Sequence, residues 1–429
     1  MVTESRNRLS GSGGMAERAR LVAGVGAGRL AGLASRALGR GEGWVISGKT
    51  CLAVAPDAAR LLAKGHRIAL VSGTNGKTTT TAMLAAALAN QGRVATNRTG
   101  ANVADGVVAA LMEGREATFA AIEVDERFVP WAFDTLAPEA VAFLNLSRDQ
   151  LSRLNETRMI AQRWRECVTQ HPEISVVANV DDPLVVWAAQ PAVSVQWVAV
   201  GQPWTDDAIA CPSCQSVVEF DADGAGWACT ECDFKRPQPD VELVEDQLVL
   251  ADGRELEVAP ALPGDRNRAN VAMAAMTAAV FGVDPAVALA AAVEVEGVAG
   301  RYRTVKVGAT DVRLLLAKNP ASWQETLRFL PPPPAPVVLV LNARDPDGHD
   351  PSWIWDVPFE ELGNRPVVCT GDRASDLAVR LEYAGIEHEW QPDVDQVVDS
   401  LEGGAWPTVD VVANYSAFQD LRRRFGRVA

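Results

Sequence analysis

Ile68-Ala-Leu-Val-Ser-Gly-Thr-Asn-Gly-Lys-Thr-Thr-Thr80 is the stretch whose reading decides the fold. A short apolar run passes directly into Gly73, Gly76, Lys77 and Thr78, and then into Met83, Leu84 and Leu88 at helical spacing. The order is strand, glycine loop, helix. Glycines let backbone N–H groups turn inward onto a phosphate, and the following helix adds its positive N-terminal end. Lys77 can reach the terminal phosphates, and the Thr78 hydroxyl is placed to ligate Mg²⁺. The general form of such loops has glycine where Val71 stands, so the match is incomplete.

Downstream, apolar runs alternate with helix-length segments. Ala117–Asp125, Ala140–Leu146 and a run from Ile174 to Asp182 before Pro183 read as strands. Buried runs separated in this way indicate a parallel sheet covered on both faces. Ligands of such sheets sit at the carboxyl ends of the strands. That places Glu123, Asp125, Asn145 and Asp149 near the loop, where acids are needed to hold Mg²⁺. Glu123 is the first choice.

The pattern then breaks. Cys211-Pro-Ser-Cys214 and Cys229-Thr-Glu-Cys232 stand fourteen residues apart, with Gly224 and Gly226 between them. Two such knuckles supply four thiolates to one tetrahedral zinc, which closes the site to water and makes it structural. Redox use of either pair is the alternative. Cys51, Cys167 and Cys369 read as small core residues.

A second set of apolar runs follows, at Val337–Asn342, Pro366–Gly371 and Val409–Ala413, with helices near Asp376–Tyr383 and Phe418–Phe425. Pro331–Pro334 reads as a stiff connector. The loop from Asn342 to Asp356 is acidic and aromatic, and loops of this kind carry sites more often than stability. Its Trp353 and Trp355 offer rigid contact area to a partner.

The whole composition sets bounds. The chain has 429 residues, 48 % of them hydrophobic, and a net charge of −15. Two or three domains fit that length, and the charge opposes a broad nucleic-acid interface. No apolar run is long enough to span a bilayer. Residues 1–14 are rich in serine and glycine. Residues 15–40 interleave Arg18, Arg20, Arg29, Arg36 and Arg40 with leucines and valines. This segment reads first as a helix docked on the next domain, with a transit peptide or a membrane-surface helix as alternatives.

Taken together, these stretches resemble the Mur ligase superfamily. Gly73-Thr74-Asn75-Gly76-Lys77-Thr78-Thr79 looks like its phosphate loop, which accounts for the missing glycine. Asn145 to Leu151 is similar to the family's Asn…Asp-His-Leu-Asp block, with Gln150 in place of histidine. Asn179-Val-Asp-Asp-Pro183, Gly264-x-x-Asn267-x-x-Asn270 and Gly300-Arg301 also fit. Ala317-Lys318-Asn319-Pro320 resembles the family's Ala-His-Asn-Pro stretch, with lysine replacing histidine. Fewer than seventy residues precede the loop strand, too few for the UDP-binding domain of the peptidoglycan ligases. The cysteine insert, Arg148-Asp149-Gln150 and Asp347-Gly-His-Asp350-Pro-Ser-Trp-Ile-Trp-Asp356 are similar to the branch that forms the synthetase subunit of lipid II isoglutaminyl synthase.

The resemblance covers about residues 40 to 425 and implies the following. The fold is α/β: a Mur ligase-like ATPase domain with a parallel sheet over residues 46–303, then a smaller Rossmann-like α/β domain over 304–429. The first carries a four-cysteine zinc ribbon at about 208–238, and residues 1–45 are a tail and helix. The activity is ATP-dependent amidation of the D-glutamate α-carboxylate of the stem peptide through an acyl phosphate. Ammonia comes from a GatD-like glutaminase subunit, and the work is cytoplasmic, on lipid II at the inner membrane face. Lys77 and Glu123 are catalytic, with Thr78 and Glu123 on Mg²⁺. Asn267 and Asn270 face the adenine, and Arg301 and Lys318 lie near phosphate or ribose. Asp350, with Asp347 as second candidate, completes the partner's glutaminase site. An amino-acid-adding ligase would share this nucleotide chemistry and is distinguished by its incoming amine.

Overall fold

The computed structural model describes residues 12–39, 42–97, 100–148, 157–221, 226–262, 264–296, 302–404 and 406–425. Three helices lead in: α1 (Ser12–Ala37), α2 (Trp44–Val54) and α3 (Ala58–Ala63). Strand and helix then alternate as β1 (Arg67–Ser72), α4 (Lys77–Leu88), β2 (Val94–Thr96), α5 (Ala104–Glu113), β3 (Phe119–Glu123), α6 (Val129–Leu136) and β4 (Ala140–Phe143). The alternation continues through α7 (Thr157–Gln170), β5 (Ser175–Asn179), α8 (Pro183–Ala189) and β6 (Ser194–Ala199). Strands β3, β4 and β5 end two or three residues inside their apolar runs, because the residues beyond them form the loops at the carboxyl edge.

A short hairpin, β7 (Val218–Phe220) and β8 (Trp227–Cys229), carries the cysteines. After it come β9 (Val241–Val244), β10 (Gln247–Val249), β11 (Glu255–Glu257), α9 (Asp265–Val280) and α10 (Pro285–Val293). The described strands form one sheet in the order β11-β10-β9-β6-β5-β4-β1-β3-β2. Pairing is parallel from β2 to β9, and β10 and β11 add antiparallel strands at one edge. This sheet is therefore parallel with an antiparallel extension.

Its strands are buried on both sides, and side chains alternate between two cores as the period of two requires. Ile68 and Leu70 of β1 join Phe143, Trp164 and the helices α5 to α8. Ala69 and Val71 face the other way, onto Met83, Leu84, Met273 and Met276 of α4 and α9. Phe143 lies flat on Trp164, with ring centroids 4.2 Å apart.

The terminal unit has β12 (Tyr302–Val307), β13 (Thr310–Leu316), α11 (Pro320–Phe329), β14 (Val337–Val340), β15 (Val367–Thr370), α12 (Ala374–Tyr383), β16 (Glu389–Trp390), α13 (Val394–Glu402), β17 (Thr408–Ala413) and α14 (Tyr415–Phe425). Its sheet runs β12-β13-β17-β14-β15-β16, parallel except for β12. Val337 and Leu339 point into one core and Val338 and Val340 into the other. Among the described residues, no apolar core is shared between this sheet and the central one. Cys51, Cys167 and Cys369 are buried, as small core residues should be. Among the described residues no helix is long and apolar enough to cross a membrane.

Candidate active site

The phosphate loop joins β1 to α4. Gly73 and Gly76 have φ of 150° and 86°, a region that costs a residue with a Cβ dearly. At Gly76 a Cβ would also stand 2.5 Å from Asn270 Oδ1, so α9 lies directly against the loop. Asn145, just past β4, clamps the loop from the other side. Its Oδ1 accepts from Asn75 N at 2.9 Å, and its Nδ2 donates to Asn75 O at 3.1 Å. Thr74 Oγ1 exchanges hydrogen bonds with Ser147, donating to its carbonyl and accepting from its N–H, both at 3.0 Å.

Lys77 starts α4 and is folded back onto the loop. Its Nζ donates to the carbonyls of Gly73 and Thr74 and forms a 3.0 Å ion pair with Glu126 Oε2. Both side chains are buried. Sequence reasoning missed Glu126. It stands three residues beyond Glu123, in the turn after β3, and that position past a strand end was its visible signal.

Glu123 ends β3 and is 1 % exposed. Asn97 holds its backbone, accepting from Glu123 N and donating to Glu123 O, both at 2.8 Å. Asn102 Nδ2 donates to Glu123 Oε1 at 3.0 Å. Glu123 Oε2 is buried and, among the described residues, receives no hydrogen bond. A Cβ placed on Gly100 would lie 3.8 Å from that oxygen and 3.5 Å from Thr78 Oγ1, so the two oxygens flank a common point. A buried carboxylate oxygen without a donor calls for a cation. Thr78 and Glu123 therefore fit Mg²⁺. Asp125 does not join them: it caps the turn at Glu126 and pairs with Arg127. Burial raises its pKa, but the Arg127 bonds outweigh that and hold the carboxyl below its usual range. Asp149 and Arg301 lie outside the described residues.

A cleft of about 380 Å³ opens beside the loop, walled by Gly76, Asn267, Asn270 and Met273 on the central side and by Lys318 and Phe329 on the terminal side. Polar contacts cross between the units near it. Asn319 caps α11, and its side-chain amide meets that of Asn75, Nδ2 to Oδ1 at 3.2 Å, with both residues buried. Arg266 of α9 pairs with Glu325 of α11. Arg148 pairs with Asp207 and reaches Asp356 at 3.3 Å. The cleft thus lies between the two sheet-bearing units.

The four cysteines converge. Cys211 and Cys232 sulfurs are 3.7 Å apart, those of Cys214 and Cys229 are 3.4 Å apart, and all four lie within 4.8 Å of one another. Tetrahedral zinc with Zn–S bonds of about 2.3 Å sets its ligands at about 3.8 Å. The geometry fits that ion. Backbone N–H groups at Ser216, then the Cys229 thiol, hold the Cys214 thiol down to about 6. The ribbon is anchored by Trp227, which donates to Val180 O at 3.1 Å, and by Arg236, which pairs with Asp181 at 2.8 Å. Asp181 in turn accepts from the N–H groups of Val200 and Gly201, which line the cleft.

In the loop after β14 the two candidate acids differ. Asp347 is buried and spends its oxygens on Ser416 and Arg344 N, capping α14. Asp350 is exposed, and its Oδ1 accepts from Ser352 N at 2.9 Å, which holds its carboxyl below the usual range. The two tryptophans, both expected to offer contact area to a partner, differ in exposure. Trp353 is buried against Trp323, whereas Trp355 is exposed and packs edge-on against Tyr383 at 5.3 Å.

Residues 71–279 match the Mur ligase middle domain, and residues 316–418 match the MurT ligase C-terminal domain. The lipid II isoglutaminyl synthase (glutamine-hydrolyzing) subunit MurT of Streptococcus pneumoniae is 28 % identical, over 93 % of this chain and 95 % of that protein. The subunit of the same name from Staphylococcus aureus is 29 % identical, over 84 % of this chain and 87 % of its own length. Among solved structures, MurF from Acinetobacter baumannii superposes with a TM-score of 0.63 at 16 % identity, over 90 % of this chain and 80 % of that one.

Proposed function

The chain belongs to the MurT family of Mur ligase-like proteins and is a carbon–nitrogen ligase, and from that premise we propose that it amidates the D-glutamate α-carboxylate of the peptidoglycan stem peptide carried on lipid II. One observation carries the reading: the phosphate-loop residues Asn75, Gly76 and Thr79 line a cleft whose other wall is the MurT-type terminal domain. The division into residues 1–45, 46–303 and 304–429 draws on the two separate sheets for its second boundary, although α2 begins at Trp44 and β12 at Tyr302, so each boundary falls two residues inside an element.

In the first step a carboxylate oxygen of the substrate attacks the γ-phosphorus of ATP, and ADP leaves, giving an acyl phosphate. In the second, ammonia attacks the acyl carbon, phosphate leaves, and the nitrogen loses one proton to give the amide. The protein positions the groups and stabilises charge. Lys77 moves from Glu126 to the phosphates, and the loop N–H groups and the start of α4 face them. Mg²⁺ held by Thr78 and Glu123 would neutralise phosphate charge. Asn267 and Asn270 stand where the adenine would lie, with Lys318 near ribose or phosphate. Arg301 is assigned the same neighbourhood from its motif alone.

Ammonia is supplied by a GatD-like glutaminase subunit, docked on the terminal domain where Trp355 and Tyr383 are exposed. Asp350 reaches that subunit's site, and Asp347, already committed to α14, does not. The reaction is cytoplasmic, at the inner face of the membrane that holds lipid II. The chain mixed with MgATP and a soluble stem-peptide substrate should form ADP and the amide when ammonium is the nitrogen source. Amino acids should not replace ammonium. Formation of an amino-acid adduct would instead make the chain an amino-acid-adding ligase.

The four cysteines hold one structural zinc. Metal analysis of the intact protein should find one zinc per chain, and the Cys211→Ser/Cys214→Ser double variant should lose it. Structural zinc contributes folding free energy, so hydrogen exchange over residues 208–238 should rise to near that of an open chain. Zinc retained by the double variant, or absent from the intact protein, contradicts the assignment.

A further inference from the structure

Helix α1 takes no part in this chemistry, yet its two sides differ in kind. The inner side is Gly24, Val25, Gly28 and Gly32, buried toward α2. A Cβ on Gly28 would come within 2.4 Å of the Ser47 carbonyl oxygen, and one on Gly24 or Gly32 would stand 3.0 Å from the carbonyls of Cys51 or Gly43. This close approach of backbones fixes which way the helix faces.

The outer side carries Met15, Val22, Leu30 and Leu33, all exposed, with Leu30 at 69 % and Val22 at 65 %. Steps of seven and eleven residues return to nearly the same side of a helix with 3.6 residues per turn, so Met15, Val22 and Leu33 form one line. Arg18, Arg29 and Arg36 are related by the same two steps and form a second line beside the first. Val45 and Ile46 of α2 are exposed as well. An apolar ridge flanked by arginines is the pattern of a helix that lies in a membrane interface.

Charge selects the occupant. The chain carries −15, yet α1 holds Arg18, Arg20, Arg29 and Arg36 against Glu17. Arg29 also opens onto a hollow of about 740 Å³ where Arg93, Arg115, Glu113 and Glu116 mix both signs, so the charge argument rests on the helix itself. A second copy seated on this ridge would gather the arginines of both chains around one seam. An anionic surface meets them with opposite charge.

We propose that the outer face of α1 docks on an anionic phospholipid surface, its leucines entering the acyl boundary and its arginines meeting headgroup phosphates. The idea takes its purpose from the lipid-carried substrate proposed above, but its test does not depend on that substrate. Full-length chain should sediment with vesicles of phosphatidylglycerol and phosphatidylcholine, and far less with phosphatidylcholine alone. At roughly fivefold per arginine, an Arg18→Gln/Arg29→Gln/Arg36→Gln variant should bind roughly a hundredfold more weakly. Leu30→Glu/Leu33→Glu should also release the protein, while circular dichroism and ammonium-driven turnover of a soluble stem peptide stay at the wild-type level. No binding, equal binding to both vesicles, or binding indifferent to these substitutions overturns the proposal. A dimer in sedimentation velocity that Leu30→Glu/Leu33→Glu dissolves would assign the face to a second copy and overturn it too. Failure of soluble-substrate turnover in the wild-type chain would count against the ligase reading and leave this one standing.

Discussion

Lys77→Ala is expected to lower ATP-dependent amidation at least about a hundredfold with either nitrogen source, the scale lost when one donor to developing charge is removed. Lys77 is the cation at the mouth of the loop, held between Gly73 O, Thr74 O and Glu126. The phosphates must draw it away from Glu126, and alanine leaves them without it. The same change strands Glu126, buried, without its partner, and breaking a buried pair costs about 3–5 kcal/mol of stability. A folding defect could therefore imitate a catalytic one. The Lys77→Ala/Glu126→Gln double variant separates them, because a neutral amide replaces the stranded charge. It should regain stability in thermal unfolding and remain inactive. Turnover within tenfold of wild type in either variant would remove Lys77 from the mechanism.

Asp350→Asn is expected to cut glutamine-driven amidation by up to roughly 10⁴-fold, the loss seen when an acid that orients a catalytic histidine becomes an amide. Ammonium-driven amidation should be unchanged. The contrast follows from position. Asp350 is exposed on the loop after β14, with Ser352 N bound to one oxygen, and it touches nothing in the nucleotide cleft. A glutaminase with only cysteine and histidine needs a third group to hold the imidazole and stabilise its charged form. Asp347→Asn should behave differently. It removes charge from the cap of α14, so its effect should appear in stability and fall equally on both nitrogen sources. Equal loss of both activities in Asp350→Asn, with the complex still formed, would place that acid in the synthetase site or in folding.

Much of this was legible in the residues because it is local. Strand, loop and helix around Gly73 to Thr78 follow one another without interruption, and the two Cys-x-x-Cys pairs announce their own chemistry. Glu123 was legible as an acid at a strand end because it closes an apolar run. Its neighbours were not. Asn97 and Asn102 reach it only through the fold of the segment between β2 and α5, and Glu126 meets Lys77 across two strand ends. The Asn75–Asn319 contact joins residues 244 apart in sequence. Strands β10 and β11 have three residues each, too short for their alternation to stand out. Trp353 and Trp355 differ only in which side of a short 3-10 turn they occupy, and composition could not tell the buried one from the exposed one.

The contacts that close the cleft set its thermal behaviour. Among the described residues they include an amide pair at Asn75 and Asn319 and ion pairs at Arg266–Glu325 and Arg148–Asp356, while each apolar core stays within its own sheet. Swinging the terminal unit away exchanges those polar partners for water and uncovers little hydrocarbon. Heat-capacity change tracks apolar area, so opening should carry almost none, and its equilibrium should vary little in slope with temperature. Added salt, by contrast, weakens exposed ion pairs and tilts the molecule toward the open form. The balance between closed and open forms is thereby tied to ionic strength, chiefly through the exposed Arg148–Asp356 pair.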